Sequence, residues 1–277
     1  MRFQGKRVLV TGAAGGLGSA LAAEFSKLGA DLFLTDRNEE GLEAVRGALS
    51  SRALPCDVTS QASVDALRRR VESEMGGLDV LVNCAGVLTH HGFESSVEQL
   101  RRLMAVNVEG YVRVTMAFLP HLCGQMDGGK RLVIMVASMA GLIVPPNLQF
   151  YAISKAAVRA SCRALRQHLQ ICGAKRTRVM CVLPPQFDTR LYEGTDLQNW
   201  IERERAKGRL PRPEEFAREI LKAARKGRRE LYPSRLGKLA AVGARLSPRL
   251  MDYFARRYYL KNQRPHGTRT RELPARG

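Results

Sequence analysis

Arg7-Val8-Leu9-Val10-Thr11-Gly12-Ala13-Ala14-Gly15-Gly16-Leu17-Gly18 is a short apolar run that passes directly into a glycine-rich turn. Beyond it Leu17, Ala20, Leu21, Phe25 and Leu28 recur at helical spacing, so the stretch reads as strand, tight turn, helix. Gly12, Gly16 and Gly18 permit a sharp turn, a close approach of backbone to a pyrophosphate and tight packing of helix on strand. Amides at the helix start would then face the phosphates.

Further apolar runs at 31–36, 52–56, 79–83, 131–137 and 178–183, with the first at 7–11, predict strands buried on both faces of a parallel sheet. Helical spacing fills the gaps. That alternation builds right-handed βαβ crossovers and hence an α/β fold, a doubly wound parallel sheet of Rossmann type with its ligand crevice at the carboxyl ends of the strands. About twenty residues past the glycine turn, Asp36 ends the second strand. A carboxylate there accepts both ribose hydroxyls of NAD and repels the extra phosphate of NADP. Arg37 beside it could receive that phosphate, so NAD is the expected cofactor and NADP the alternative.

Tyr151 and Lys155 stand four residues apart on one helical face, and Ser138 lies upstream at a strand end. A phenol has a pKa of about 10, so a tyrosine acting as a base near neutral pH needs a cation to stabilise its phenolate. Lys155 is placed to be that cation, and the Ser138 hydroxyl to hold a carbonyl against the phenol. The pair alone is common by chance; its order after the glycine turn gives it meaning.

With these residues in order, the chain resembles the short-chain dehydrogenase/reductase family over about residues 5 to 233. The family's T-G-x-x-x-G-x-G pattern falls on Thr11, Gly12, Gly16 and Gly18, its N-N-A-G strand end on Asn83-Cys84-Ala85-Gly86, and its helix asparagine on Asn107. Its serine, tyrosine and lysine fall on Ser138, Tyr151 and Lys155. Cys84 departs from the pattern, as does Pro185 in Pro184-Pro185-Gln186-Phe187-Asp188-Thr189, where the family has glycine. The resemblance implies Tyr151 as acid/base, Ser138 orienting the reacting oxygen, Lys155 on the nicotinamide ribose and Asn107 on a water linking Lys155 with solvent. It implies cofactor contacts from Gly12, Gly16, Leu17, Gly18, Asp36 and Arg37, with Asp57-Val58 at the adenine. Asn83, Ala85 and Gly86 would pass behind the adenosine ribose, and Pro184, Phe187 and Thr189 would border the carboxamide. The family's pairing helices fall near 97–120 and 150–172, which implies a homodimer or homotetramer.

The specificity segment of that family follows Thr189. Here Arg190 to Leu210 mixes Leu191, Tyr192, Leu197, Trp200 and Ile201 with charge, an amphipathic lid that favours an apolar substrate body over a sugar. The Pro184-Pro185 variant also resembles ketosphinganine reductases and other lipid-handling members.

Charge is uneven along the 277 residues: 15 basic and 15 acidic side chains up to Phe150, then 30 against 11, which puts the whole net +19 in the second half. So concentrated a basic face attracts anions beyond what cofactor phosphates require. No nucleic-acid motif accompanies it, so specific nucleic-acid binding is not expected. Six cysteines stand singly, with no C-x-x-C spacing, and His90-His91 are adjacent loop residues that do not converge on one ion, so reduced thiols and no metal are expected. No apolar run approaches the roughly 20 residues of a spanning helix, and the first strand begins too early for a signal peptide, so a cytoplasmic location is expected.

After Pro233 the pattern changes. Leu236, Leu239, Ala240, Val242, Gly243 and Leu246 form one stripe, and after Ser247-Pro248 a second follows with Leu250, Met251, Phe254 and Tyr258. Arg245, Arg249, Arg256, Arg257 and Lys261 flank them. The division expected is 1–233 for a dinucleotide-binding catalytic domain, 234–261 for a basic amphipathic helical extension and 262–277 for a disordered polar tail. The helices could dock on the domain, cover a neighbour's substrate mouth or lie peripherally on an anionic membrane surface. The function expected is hydride transfer between a nicotinamide cofactor and a lipophilic secondary alcohol or ketone, steroid-, retinoid- or long-chain-like. The alternative is a non-catalytic dinucleotide-binding or scaffold protein on the same fold; drift in such a protein would have no reason to spare Asn107, Ser138, Tyr151 and Lys155 together.

Overall fold

The computed structural model describes residues 1–89, 92–124, 129–185, 198–208, 210–232 and 234–262. Among the described residues seven parallel strands form one sheet: β1 (Arg7–Thr11), β2 (Asp31–Thr35), β3 (Arg52–Ala53), β4 (Val80–Asn83), β5 (Arg131–Val136), β6 (Thr177–Val182) and β7 (Glu230–Leu231). Their order is β3-β2-β1-β4-β5-β6-β7, so the chain leaves β1 in one direction and returns to its other edge with β4. A crevice opens where the order reverses.

The apolar runs owe their continuity to cover on both faces. Val8, Val10, Val80, Val82 and Ile134 face α1 (Gly16–Lys27) and α8 (Pro213–Arg225), while Leu9, Leu81 and Val133 face α3 (Gln61–Met75), α5 (Gly110–Cys123) and α6 (Gln149–Ile171). The pleat sends alternate side chains to opposite layers, and those named are buried in both. Remaining helices are α2 (Glu39–Leu49), α4 (Val97–Met104), α7 (Gln198–Ala206), α9 (Arg235–Leu246) and α10 (Pro248–Asn262).

Two features go beyond the expected six strands. β7 is a two-residue edge that pairs in parallel with Cys181 and Val182, too short to leave a periodic signal. Between α4 and α5 the backbone widens into a π-helical segment, Ala105–Glu109, that turns Asn107 inward. α9 starts on Ser234, whose hydroxyl accepts from the Gly237 amide at 2.9 Å, and α10 starts on Pro248. No helix among the described residues is long and apolar enough to cross a membrane.

At the amino end of the sheet, Asp79 joins β4 to β1. It accepts from the Arg7 amide at 3.0 Å and Arg7 Nε at 3.1 Å, with Lys6 Nζ at 3.4 Å. Burial alone would raise this carboxyl, but the Arg7 hydrogen bonds and the charges of Lys6 and Arg7 outweigh it and hold the pKa below its ordinary value. A depressed carboxyl contributes stability above its unfolded pKa, and that contribution is lost as pH falls through the folded value. Asp79→Asn is therefore expected to cost about 1–3 kcal/mol at pH 7 in urea unfolding. The gap to wild type should shrink below about pH 4; a gap that persists there would show the loss is not that of the charge.

Candidate active site

The turn after β1 is built for close approach. Gly12 has φ +70°, and a Cβ there would lie 2.6 Å from the Ala85 amide nitrogen; a Cβ on Gly18 would lie 2.0 Å from the Gly12 carbonyl oxygen. Thr11 locks this junction, its hydroxyl donating to Val82 O at 3.3 Å and accepting from the amides of Cys84 at 3.1 Å and Ala85 at 3.2 Å. α1 begins at Gly15 and Gly16 with no side chain capping its first amides. Gly16, Leu17 and Gly18 line a cleft, and no side chain competes for the donors of this helix start, as an anion site requires.

Asp36 lies across the turn, one carboxylate oxygen accepting from the Ala14 amide at 3.0 Å and the other from Asn38 N at 2.9 Å. Arg37 is exposed, and its charge helps lower Asp57, whose carboxylate is held first by the Thr59 amide at 2.8 Å. Asn83 is fully buried and donates to Thr115 Oγ1 at 2.9 Å.

The residues expected from sequence to transfer a proton, Ser138, Tyr151 and Lys155, gather at the end of β5 and on α6, with Asn107 on the π-helical segment. Ser138 caps a short turn after β5, its hydroxyl accepting from Ala140 N at 3.1 Å and sharing a hydrogen bond with the Tyr151 phenol. Lys155 Nζ donates to Val136 O at 3.1 Å and stands 5.7 Å from the Tyr151 ring centre. Asn107 is consumed by structure: Oδ1 accepts from Val87 N at 2.9 Å, and Nδ2 donates to Val87 O and Ser154 Oγ, both at 3.0 Å. It thereby ties the π-helical segment to the loop after β4 and to the helix carrying Tyr151 and Lys155.

Burial pushes Tyr151 up to about 12, the Ser138 hydrogen bond pulling back only in part, and burial draws Lys155 down to about 8. Removing both groups from water disfavours both charged forms more than their separation repays. Cys84, where the family has asparagine, is pushed up to about 12 by burial and is a neutral thiol at physiological pH.

Asp36, Arg37, Asp57, Cys84, Ser138, Tyr151 and Lys155 line one cleft of about 1200 Å³, whereas Asn83 and Asn107 are buried and do not line it. It runs from Asp36, Asp57 and Val58, past the glycine turn, Ala85 and Gly86, to Ser138, Tyr151, Lys155 and Pro184. Its far end is walled by Ile143, Pro145, Pro146, Leu148, and by Ala240, Met251, Phe254 and Ala255 of the carboxyl-terminal helices. The uncapped helix start, the glycine cradle and the Asp36 carboxylate fit a dinucleotide. Phe187 and Thr189, expected at the carboxamide, lie outside the described residues, as do His90-His91, most of the lid from Arg190, the Trp200 and Tyr258 side chains, and everything past Asn262. Of the lid, α7 is described, and its Ile201 is buried against Tyr151, Phe150 and Leu148. Among the described residues no group of His, Cys, Asp or Glu is arranged to hold a metal ion.

Two contributors were not singled out from sequence. Ser154 accepts from Asn107 and donates to Tyr151 O at 2.8 Å, a position readable only as i+3 from the tyrosine. Tyr111 shares the Val136 carbonyl with Lys155, donating at 3.2 Å, with its ring centre 5.4 Å from Nζ. The wall from α9 and α10 was among the alternatives read from their stripes, and Ala240, Met251 and Phe254 border the cleft of this same chain.

Residues 6–200 match the family model described as short chain dehydrogenase. The chain is 34% identical over 194 residues to an "Uncharacterized oxidoreductase" of Staphylococcus epidermidis, covering 69% of this chain and 82% of that protein. It is 34% identical over 202 residues to 1-deoxy-11-beta-hydroxypentalenate dehydrogenase of Streptomyces exfoliatus, covering 70% and 72%. Among solved structures it resembles 3-ketoacyl-(acyl-carrier-protein) reductase from Brucella melitensis, complexed with NADH, at 29% identity and TM-score 0.73, covering 80% of this chain and 91% of that one.

The glycine cradle makes its own prediction. In Gly18→Ala the new Cβ collides with the Gly12 carbonyl, a backbone atom that cannot step aside without opening the turn. NADH affinity, titrated by fluorescence, is expected to fall about tenfold or more, since a roughly 1 Å displacement of backbone donors is enough to lose their bonds. Unchanged affinity would separate the turn from dinucleotide binding.

Proposed function

The chain belongs to the short-chain dehydrogenase/reductase family, and we propose that within it this protein reduces a lipophilic ketone, or oxidises the matching secondary alcohol, with NAD as cofactor and Tyr151 as acid/base. The observation that carries the reading is the meeting of Ser138, Tyr151 and Lys155 in the same cleft as the glycine cradle and Asp36. Bound NADH supplies the hydride. Ser138 orients the carbonyl oxygen, and Tyr151, a protonated phenol at neutral pH, donates its proton to the developing alkoxide. Lys155, fixed by Val136 O, would hold the nicotinamide ribose and offset the charge left on the phenolate.

NAD is favoured by the Asp36 carboxylate, and a structural relative complexed with NADH supports the same choice. A lipophilic body, steroid-, retinoid- or long-chain-like, is favoured by the walls of Ile143, Pro145, Leu148, Met251 and Phe254. Exposed Val97, Val112, Met116 and Ile153 on α4, α5 and α6 favour pairing with a second copy through those helices.

Two measurements test this. Tyr151→Phe keeps the ring and removes the proton; turnover of a ketone panel, followed by nicotinamide absorbance, is expected to fall about a hundredfold or more with NADH binding preserved. Retained turnover would refute Tyr151 as the acid. Asp36→Asn keeps an acceptor for the Ala14 amide while removing the charge, so the preference for NADH over NADPH should narrow or reverse with Arg37 still present. A wild-type preference for NADPH would overturn the cofactor assignment.

A further inference from the structure

We infer that the α9–α10 hairpin is a docking surface for an anionic lipid bilayer, and that it seats the mouth of the Tyr151 cleft on that surface. One side of each helix faces the protein: Ala241 is buried, and Ala240, Met251 and Ala255 line the cleft. The other side is uncovered. Leu239, Val242 and Leu246 follow helical spacing along α9, and Leu250, Tyr253 and Leu260 along α10, with Leu246 81% and Leu239 67% exposed. Phe254, 52% exposed, belongs to both sides, bordering the cleft and the uncovered stripe.

Charge identifies the occupant. From Ser234 to Asn262 the chain carries seven Lys and Arg against one acid, Asp252. Lys238, Arg249, Arg256 and Arg257 are exposed beside the apolar stripes, and the one acid, Asp252, stands three residues from Arg249 and four from Arg256, on their flank and turned away from Leu250. An apolar stripe rimmed mainly by cations fits a surface that is apolar beneath and negative above. A second copy meeting the same face would bring like charges together. At 12 and 15 residues the helices are too short to span a bilayer, for which about 20 are needed, so they would lie in its interface. That a lipophilic substrate enters from the bilayer rests on the function proposed above; the docking surface does not.

Full-length protein is sedimented with vesicles of phosphatidylcholine alone and of equal parts phosphatidylcholine and phosphatidylserine, at about 0.1 M salt and above. Binding to the mixed vesicles is expected to be at least tenfold stronger than to the neutral ones and to weaken as salt rises. The double variant Leu246→Glu/Leu250→Glu changes two exposed side chains outside the cleft, and should lose at least tenfold in partitioning while NADH affinity and oligomeric state stay unchanged. Arg249→Glu/Arg256→Glu should lose the preference for the mixed vesicles. Tyr151→Phe should bind vesicles as wild type does, so a failed catalytic assignment leaves this result readable. Indifference of the wild-type chain to anionic vesicles overturns the inference, as does undiminished binding of the Glu variants. A change of oligomeric state in Leu246→Glu/Leu250→Glu without vesicle binding by wild type overturns it in favour of a second copy.

Discussion

The Thr11 hydroxyl has one proton and two lone pairs, and all three are used on the backbone of the β4 end: Val82 O, Cys84 N and Ala85 N. That joint sits where the strand order reverses, the place in a parallel sheet where two neighbouring loops would otherwise part. It presses the turn after β1 against the loop after β4 so closely that a Cβ on Gly12 would overlap Ala85 N. The turn after β1 is held on its other side by the Ala13 amide on Thr35 O at 3.1 Å and the Ala14 amide on Asp36 at 3.0 Å, so it is fixed between the ends of β4 and β2. Gly12 and Gly18 are required because the approach is backbone to backbone.

A second set of joints fixes the other half of the cleft. Val136 O receives both Lys155 and Tyr111, so the end of β5 orients the lysine through a carbonyl whose direction the sheet dictates. Asn107 does the corresponding work from the helical side, and needs the π-helical segment to reach inward. A regular turn there would rotate the amide away from Val87 and Ser154. The irregularity is thus the means by which α4 and α5 support α6.

The sheet was legible because strands covered on both faces must be apolar throughout, as Val80 to Val82 and Leu132 to Met135 are. β7 was not, since two residues at an edge take their conformation from β6. The cradle and the Ser138, Tyr151 and Lys155 set were legible because their residue types and spacing carry the geometry. Ser154 and Tyr111 were not, because an ordinary serine and a core tyrosine acquire meaning only from what lies opposite in space. The two carboxyl-terminal helices could be read from their stripes, yet each has an apolar side inward and another outward, and sequence periodicity does not say which one meets the domain.

The direction of the Tyr151 shift links acid strength to specificity. The phenol rises to about 12 because its surroundings exclude water, and part of that exclusion is the wall of Leu148, Phe150 and Ile201 packed beside it. A substrate that fills the apolar end of the cleft keeps those surroundings dry and holds the tyrosine protonated until charge develops on the oxygen it faces. A small polar substrate would admit water, stabilise the phenolate early and weaken the match of proton to alkoxide. Under the function proposed above, one apolar lining would serve both the fit of a lipophilic body and the protonated state of Tyr151.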